Sequence, residues 1–263
     1  MSVRTLVLTG FGINCDHETC VAFERAGSQA ERIHLNDLIA APERLREFHI
    51  IAIPGGFSFG DDIASGKILA NRLRYRLGDP IKEFVAGGNL AIGICNGFQV
   101  MVKMGLLPFF DGELRQEVTL THNDSDRFDN RWVNLVRVPA TVCVWLDGIE
   151  SLELPVRHGE GKFVPGSEDV LKRLSDNGQI ALRYASLDGS TAEGRFPENP
   201  NGSIDDIAAI CDSSGRIFGL MPHPEAFLER THHPRWTREA VPAIGAGQRI
   251  FQNAVEYARK ALV

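Results

Sequence analysis

The chain has 263 residues, of which 43% are hydrophobic and 24% charged, a composition typical of a soluble globular protein with a full core. Its 28 basic and 34 acidic side chains leave a net charge of −6 without a basic cluster, which argues against a nucleic-acid partner. No apolar run reaches the length of a membrane span, and the first residues lack a signal-peptide core, so we expect a cytoplasmic protein with no membrane partner.

Strand and helix patterns alternate along the first hundred residues. Short apolar runs predict strands at residues 3–9, 30–34, 49–53 and 90–94, and helical patterns cover residues 16–26, 37–47 and 98–103. Such alternation predicts an α/β fold in which right-handed crossovers build a mostly parallel sheet with helices on both faces. Ligand sites in these folds lie beyond the carboxyl ends of the strands.

The loop Pro54-Gly-Gly-Phe-Ser-Phe-Gly-Asp-Asp62 follows the third predicted strand. Its adjacent glycines allow backbone N–H groups to converge on an anion or a carbonyl oxygen. A phosphate-binding loop ending at Lys67 is excluded, because Ile68 stands where Ser or Thr is needed. Asp61 and Asp62 resemble metal ligands, but two adjacent carboxylates without further ligands favour a turn or helix cap.

Cys95 lies where the fourth predicted strand turns into a helix. The spacing Gly93-x-Cys95-x-Gly97 is that of a nucleophile elbow, in which small neighbours permit a tight turn that exposes the nucleophile. A helix N-terminus favours the thiolate, and the N–H of Asn96 can help to hold an oxyanion. The alternative is a buried structural cysteine, and the flanking glycines favour the nucleophile.

The five cysteines are too few and too irregularly spaced for a structural framework. Their number is odd and no Cys-x-x-Cys pair occurs, which argues against disulfides and against a zinc ribbon. We therefore expect reduced thiols and no metal site.

The second half of the chain is rich in β patterns. Alternating stretches at residues 114–121, 131–138, 152–157 and 180–184, without long helices between them, predict an antiparallel extension of the sheet. A hairpin signal joins strand candidates at residues 207–211 and 217–221. Residues 230–247 predict a surface loop, and residues 247–261 a closing helix with an apolar stripe.

Two further motifs carry candidate site residues. In Pro222-His223-Pro224-Glu225 the prolines favour extended backbone, so His223 and Glu225 share a face and the carboxylate can orient the imidazole beside a thiol. A solvated turn is the alternative for this motif alone. The glycine-rich corner at residues 156–162 suits either close approach to a ligand or an ordinary hairpin turn.

Together these motifs resemble those of the class I glutamine amidotransferases. Several longer blocks resemble the glutaminase subunits of phosphoribosylformylglycinamidine synthase: Gly12-Ile-Asn-Cys-Asp16, Pro54-Gly-Gly-Phe-Ser-Phe-Gly-Asp61, Cys95-Asn-Gly-Phe-Gln99, Asn123-Asp-Ser-Asp-Arg-Phe128, Arg131-Trp-Val133, His158-Gly-Glu-Gly-Lys-Phe163 and Asn199-Pro-Asn-Gly-Ser203. These blocks extend over most of the chain, and those at Cys95 and His158 are the most specific.

The resemblance implies a flavodoxin-like sheet with an antiparallel extension, formed by a single amidotransferase domain over residues 1–263. It implies hydrolysis of L-glutamine to glutamate and ammonia. The ammonia would pass to a large ATP-binding synthase subunit that makes formylglycinamidine ribonucleotide in purine biosynthesis, with a small accessory subunit as a further partner. No cofactor is implied for this chain, since ATP and Mg²⁺ belong to the synthase.

The resemblance also implies roles for individual residues. Cys95 would be the nucleophile, His223 the general acid and base, and Glu225 the residue that orients His223. The oxyanion would be held by backbone N–H groups of Gly56 and Asn96. Four residues would contact glutamine: Phe57, Gln99, His158 and Gly159.

Two other functions are compatible with parts of the pattern. A cysteine hydrolase or peptidase of the same fold commonly has histidine directly after the elbow cysteine, where this chain has Asn96. An inactive regulatory subunit has no physical need to retain Cys95, His223 and Glu225 together. Both features favour the glutaminase.

Overall fold

The computed structural model describes residues 2–263, which contain eleven β-strands and six α-helices. The strands are β1 (Arg4–Thr9), β2 (Gln29–His34), β3 (Ile50–Ile53), β4 (Leu90–Ile94), β5 (Val118–Thr121), β6 (Asp129–Arg137), β7 (Ser151–His158), β8 (Lys162–Pro165), β9 (Ile180–Ala185), β10 (Ile207–Cys211) and β11 (Ile217–Leu220). The α-helices are α1 (Asp16–Arg25), α2 (Leu35–Ala40), α3 (Lys67–Ala86), α4 (Asn96–Met104), α5 (Glu168–Asp176) and α6 (Ala246–Ala261).

A nine-stranded sheet of order β2-β1-β3-β4-β11-β10-β9-β6-β7 forms the centre of the molecule. Its first five strands are parallel, and the pairings from β11 onward are antiparallel. Strands β3 and β4 are buried at every residue, because helices cover both faces of a parallel sheet. The parallel half has the strand order of flavodoxin-like folds. The predicted α/β class and the antiparallel extension are therefore confirmed. Strands β5 and β8 form a second sheet of two strands, apart from the nine-stranded one.

Helices lie on both faces of the sheet. The crossover through α1 leads from β1 to β2, at the end of the sheet. The crossovers through α2, from β2 to β3, and through α3, from β3 to β4, lead in the opposite direction across the sheet. Right-handed crossovers therefore place α1 on one face and α3 on the other. The contacts agree, because α6 packs against α1 and α4 packs against α3.

Two predicted elements differ from the structure, and two helices were not predicted. The helical stretch over residues 37–47 is two pieces, α2 and a 3₁₀ helix at Pro42–Glu47, because Ala41 before the proline leaves the helical region with φ −136°. The strand over residues 114–121 is paired only at Val118–Thr121. The 20-residue helix α3 was not predicted. Helix α5 was not predicted either, and it lies between β8 and β9, in the region where the sequence pattern indicated no long helix.

The carboxyl ends of β1, β3, β4 and β11 meet at one edge of the sheet. The Pro-Gly-Gly loop follows β3, Cys95 follows β4, and His223 lies three residues after the end of β11. Motifs that are far apart in sequence are thus collected at one edge, as the topology requires.

Candidate active site

Cys95 occupies a strained turn between β4 and α4. Its backbone has φ 52° and ψ −106°, a conformation that L-residues rarely adopt outside functional turns. The turn is possible because its neighbours are glycines: a Cβ on Gly97 would collide with the Ile53 carbonyl oxygen, and one on Gly93 would lie 2.6 Å from the Gly97 carbonyl oxygen. The predicted nucleophile elbow therefore exists in the structure.

The elbow is adjacent to the segment that carries His223. The N–H of Cys95 donates to the carbonyl oxygen of Leu220 at 2.8 Å, which joins the elbow to the end of β11. The N–H of His223 donates to the Pro155 carbonyl oxygen at 2.8 Å, and the Cys95 thiol lies 3.6 Å from the Arg157 carbonyl oxygen. Strand β7 thus contacts both residues and brings them together.

His223 and Glu225 form a buried pair. The Nδ1 atom of His223 lies 2.5 Å from Oε1 of Glu225, and the two side chains are 3% and 2% exposed. Within the described chain, Nε2 of His223 and Oε2 of Glu225 are buried without a hydrogen-bond partner of good geometry. One ring nitrogen is therefore occupied by the carboxylate, and the other is free to exchange a proton.

The electrostatics of this pair favour the imidazolium. Burial lowers the pKa of His223, but the negative charges of Glu225 and then of Cys95 outweigh burial and hold the pKa well above its usual range. The neighbouring thiols of Cys15 and Cys95 shift the pKa in the same direction. The proton that leaves the nucleophile thus has a receptor at His223.

Two backbone N–H groups are available for an oxyanion. Among residues 2–263, no acceptor is found for the N–H of Gly56 or for that of Asn96, which is the first residue of α4. Gly56 has φ +152°, and a Cβ there would lie 2.5 Å from the Gly12 carbonyl oxygen, so only glycine fits. The Gly55 carbonyl accepts the N–H groups of Asn14 and Cys15, each at 3.2 Å, which fixes the orientation of the Gly55-Gly56 peptide.

The side chain of Asn96 connects the elbow to the Pro-Gly-Gly loop. Its carbonyl oxygen accepts the N–H of Ser58 at 3.2 Å, and its amide donates to Asp61 Oδ1 at 3.2 Å. The amide also donates to Gln99 Oε1 at 3.0 Å, and Gln99 Nε2 donates to the Glu160 carbonyl oxygen at 2.6 Å. Gln99 is paired at both ends within the protein, so its predicted contact with glutamine stays a prediction.

A buried polar cluster beside α4 extends this connection. Asp61 accepts the Ser65 hydroxyl at 3.0 Å and the Gly66 N–H at 3.1 Å. The N-cap of α3 is Gly66, which has no side-chain cap bond, so Asp61 stabilises the turn before the helix and the preferred prediction of a helix cap is wrong. The Ser65 N–H donates to a Glu160 carboxylate oxygen at 3.3 Å, and Lys103 Nζ lies 3.8 Å from the same carboxylate. Burial raises the pKa of Asp61 and lowers that of Lys103. Neither Lys103 nor Glu160 was predicted, because their pairing depends on segments far apart in sequence.

His158 is buried between amide side chains. Its Nδ1 lies 3.2 Å from Asn123 Oδ1 and its Nε2 lies 3.5 Å from Asn201 Nδ2. Burial, and to a smaller extent the charge of His223, lowers the pKa of His158 to about 3. The ring is therefore neutral and held within the protein. A Cβ on the neighbouring Gly159 would meet no atom within 4 Å, so the backbone there is open to a ligand.

Two exposed aromatic rings lie next to each other at the Pro-Gly-Gly loop, whereas Cys95 is buried. Cys95 is 5% exposed, whereas Phe57 on the Pro-Gly-Gly loop is 49% and Phe128 is 53% exposed. The rings of Phe57 and Phe128 lie 6.3 Å apart. Phe57 is thus placed at the surface of the site, and its predicted contact with glutamine stays a prediction.

Comparisons with known proteins identify the family of this chain. Residues 2–258 match the model of the CobB/CobQ-like glutamine amidotransferase domain. The chain is 49% identical over 260 residues to phosphoribosylformylglycinamidine synthase subunit PurQ of Dehalococcoides mccartyi, with 98% of each chain covered. It is 41% identical over 271 residues to PurQ of Methanococcus maripaludis, with 99% of this chain and 100% of that one covered.

A solved structure gives the same result at the level of the fold. The structure of PurLQS from Thermotoga maritima matches with a TM-score of 0.71 at 28% identity, over 98% of this chain and 99% of that one. The family model and the relatives match this chain over nearly its whole length. The similarity therefore lies in the sequence as well as in the fold. The chain therefore belongs to the CobB/CobQ-like glutamine amidotransferases, in the PurQ subunit family of phosphoribosylformylglycinamidine synthase.

Proposed function

We propose that this chain is the glutaminase subunit of a phosphoribosylformylglycinamidine synthase and that Cys95 is its nucleophile. The Cys95 sulfur attacks the side-chain amide carbon of L-glutamine while His223 takes up the thiol proton. His223 then protonates the departing nitrogen, which leaves as ammonia, and a thioester remains on Cys95. Water, deprotonated by His223, cleaves the thioester and releases glutamate.

The oxyanion formed in both steps accepts hydrogen bonds from the backbone of Gly56 and Asn96. Such donors are aimed before the reaction begins, so they stabilise the developing charge without reorganisation. Glu225 holds the His223 ring through Nδ1 and supports its positive charge. The observation that carries the proposal is the strained Cys95 turn beside a buried His223-Glu225 pair whose second ring nitrogen is unpaired.

Replacement of the nucleophile tests this reaction. Cys95→Ala should lose at least about 10⁴-fold in glutaminase rate, because no other group can form the thioester. The fold should be retained, since alanine is small enough for the turn. Glutamate release and thermal unfolding should be measured on the same samples, and an electrophilic glutamine analogue should label Cys95 rather than the half-buried Cys15. Substantial activity in Cys95→Ala would refute the mechanism.

The family supplies the destination of the ammonia. The relatives are synthase subunits by name, and the PurLQS structure is that of an assembly, which supports other synthase subunits as partners. We propose that ammonia passes to an ATP-dependent synthase subunit in purine biosynthesis, with a small accessory subunit as a third member. The exposed aromatic rings of Phe11, Phe57 and Phe128, on loops near the site, offer an apolar surface for such a partner.

The partner should activate this chain. We expect the purified synthase and its substrates to raise kcat about 5- to 150-fold, as a coupling of roughly 1–3 kcal/mol would give. A gain that arises in the chemical step appears in kcat, so KM should change less than kcat. Steady-state kinetics with and without the partner measures both. An isolated chain that is fully active and insensitive to the synthase would indicate an independent amidohydrolase.

Three further expectations belong to the same proposal. One sheet takes strands from both the first and last parts of the chain, and we infer a single domain over residues 1–263. Glutamine hydrolysis by this site requires no cofactor, so ATP and Mg²⁺ are assigned to the synthase. Among residues 2–263 no helix is both long and apolar enough to cross a membrane, while the cytoplasmic location stays a prediction from the sequence.

A further inference from the structure

Three polar side chains lie on one face of α4, an otherwise apolar helix. Asn96, Gln99 and Lys103 are spaced three and four residues apart, so they project to the same side of the helix. They are 1%, 3% and 6% exposed, and a lysine is rarely buried unless it is paired. This polar stripe begins directly after Cys95 and ends about two turns, or roughly 12 Å, along the helix from it.

The polar stripe holds the Pro-Gly-Gly loop at two places. Near the start of the loop, Asn96 Oδ1 accepts the Ser58 N–H at 3.2 Å. Near its end, Lys103 Nζ donates to the Ser65 carbonyl oxygen at 2.5 Å. A Cβ on the next residue, Gly66, would lie 2.9 Å from a side-chain carbon of α4, so the loop packs directly on the helix.

Glu160 joins the glycine-rich corner at residues 158–161 to the same stripe and the same loop. Its carbonyl oxygen accepts Gln99 Nε2 at 2.6 Å. Its carboxylate, on a side chain that is 16% exposed, accepts the Ser65 N–H at 3.3 Å and lies 3.8 Å from Lys103 Nζ. The carboxylate of Glu160 thus links the corner to the Pro-Gly-Gly loop, and Lys103 supplies its counter-charge inside the protein.

We propose that Glu160 and Lys103 are positioning residues that hold this corner in place for glutamine and so set the affinity for the substrate. The inference rests on the proposed function, because it takes glutamine as the ligand. Glycines flank Glu160 on both sides, and glycine loses more conformational freedom on ordering than any other residue. A corner that is already ordered in the free protein spares the substrate that cost. The backbone at Gly159 is the open side of the corner, since a Cβ there would meet no atom within 4 Å.

The burial of the pair explains why its two members act together. Burial lowers the pKa of Lys103, and the negative charges of Glu160 and then of Asp61 oppose that effect. Removal of one partner leaves an uncompensated charge in the interior, whereas removal of both does not. The effect of the pair on stability can therefore be separated from its effect on the corner.

Kinetics of the full chain test the role of the carboxylate. Glu160→Gln keeps an oxygen for the Ser65 N–H but removes the charge. It should raise the KM for glutamine at least about tenfold, or about 1.4 kcal/mol. The kcat should change less than about threefold, because Cys95 and His223 are untouched and the lost contribution is to binding.

Alkylation of Cys95 separates the corner from the nucleophile. Iodoacetamide needs the thiol and its base but not the corner, so without glutamine it should alkylate Cys95 equally fast in Glu160→Gln and the wild type. Glutamine should protect Cys95, and the half-protecting concentration should rise at least about tenfold in the variant. Mass spectrometry assigns the label to Cys95, and protection reports binding even where no glutamate is released.

A double variant distinguishes positioning from stability. Glu160→Gln alone leaves the buried Lys103 without its counter-charge and should lower the Tm. Glu160→Gln combined with Lys103→Met removes both charges and should recover much of the lost thermal stability. The KM for glutamine should stay raised, since the link between the corner and the loop is still weakened. A pair that only stabilises the fold would instead recover KM together with Tm.

An exposed ion pair provides the matched control. Lys82 Nζ lies 3.3 Å from Glu113 Oε2, and the two side chains are 35% and 66% exposed. Glu113→Gln should leave KM, alkylation rate and Tm close to those of the wild type.

Three results would overturn the inference: an unchanged KM in folded Glu160→Gln, a KM that recovers in the double variant, or slower alkylation of Cys95 in Glu160→Gln without glutamine. A chain that glutamine protects as expected, with weaker protection in Glu160→Gln, but that never releases glutamate would support the inference and refute the proposed function.

Discussion

Two buried histidines lie near each other at the carboxyl edge of the sheet, and their surroundings give them opposite properties. His223 has a carboxylate at 2.5 Å and a second nitrogen without a partner, and its pKa is raised. His158 lies between the amides of Asn123 and Asn201, and its pKa is lowered to about 3. Burial disfavours the charged form of both rings, so the neighbouring charge decides which of them can carry a proton.

The comparison teaches that a histidine in a glycine-rich corner need not be catalytic. His223 is placed to exchange protons with Cys95. The ring of His158 instead ties β7 to Asn123, whose Oδ1 also accepts the Gly161 N–H at 2.9 Å. His158 thereby shapes the corner that carries Gly159 and Glu160. Its predicted role in holding glutamine stays a prediction.

The largest expected difference between the two rings is in rate. His223→Ala should lose about 10²- to 10⁴-fold in kcat, because one residue accepts the thiol proton and protonates the leaving nitrogen. His158→Gln should stay within a few-fold of the wild type, since glutamine is neutral and can bond to both amides. Steady-state kinetics on folded samples measures both variants. Comparable losses in kcat would mean that His158 exchanges protons too.

A smaller effect is expected from removal of the charge beside His223. Glu225→Gln keeps the shape of the side chain but loses a charge-assisted hydrogen bond worth roughly 1.5–3 kcal/mol, or about 10- to 150-fold in rate. The pH at which His223 loses its proton should also fall, because the first cause of the raised pKa is removed. The pH profile of kcat/KM measures this shift. A larger loss of rate than that of His223→Ala would show that the two roles are misassigned.

The smallest expected effect is on stability, and its sign follows from His158. An unfolded histidine takes up a proton near pH 6.5, whereas folded His158 does so only near pH 3, so the unfolded state binds more protons between these values. The free energy of unfolding therefore falls as the pH falls through this window, by up to about 1.4 kcal/mol per unit from this group. His158→Gln should remove that contribution.

Urea unfolding at pH 7, 6 and 5 measures this slope. His223→Gln is the matched control, since a raised folded pKa contributes stability below the unfolded pKa that is lost only as the pH rises through the folded pKa. Its slope between pH 6 and pH 5 should resemble that of the wild type. An unchanged slope in His158→Gln would mean that folded His158 is not held neutral.

The local sequence pattern was sufficient to predict those parts of the site whose geometry depends on residues adjacent in sequence. The glycines around Cys95 and the prolines around His223 are within two residues of the groups that they position, so the elbow and the His-Glu pair could be predicted. The strands that precede them were also predicted, because a buried parallel strand is a continuous apolar run. Helix α3 was not predicted, although Leu69, Leu73 and Leu77 recur at helical spacing and are buried on one face of it.

The sequence by itself therefore determined the α/β class and predicted Cys95 and His223 as the candidate nucleophile and base, because period, turn chemistry and short-range geometry are local properties. Only the tertiary structure decided how those groups are surrounded. It paired Gln99 with the Glu160 corner, enclosed His158 between two amides and brought Cys15 to His223. Each of these contacts joins segments separated by tens to hundreds of residues, and their formation depends on strand order and crossover direction, which no short window of sequence contains.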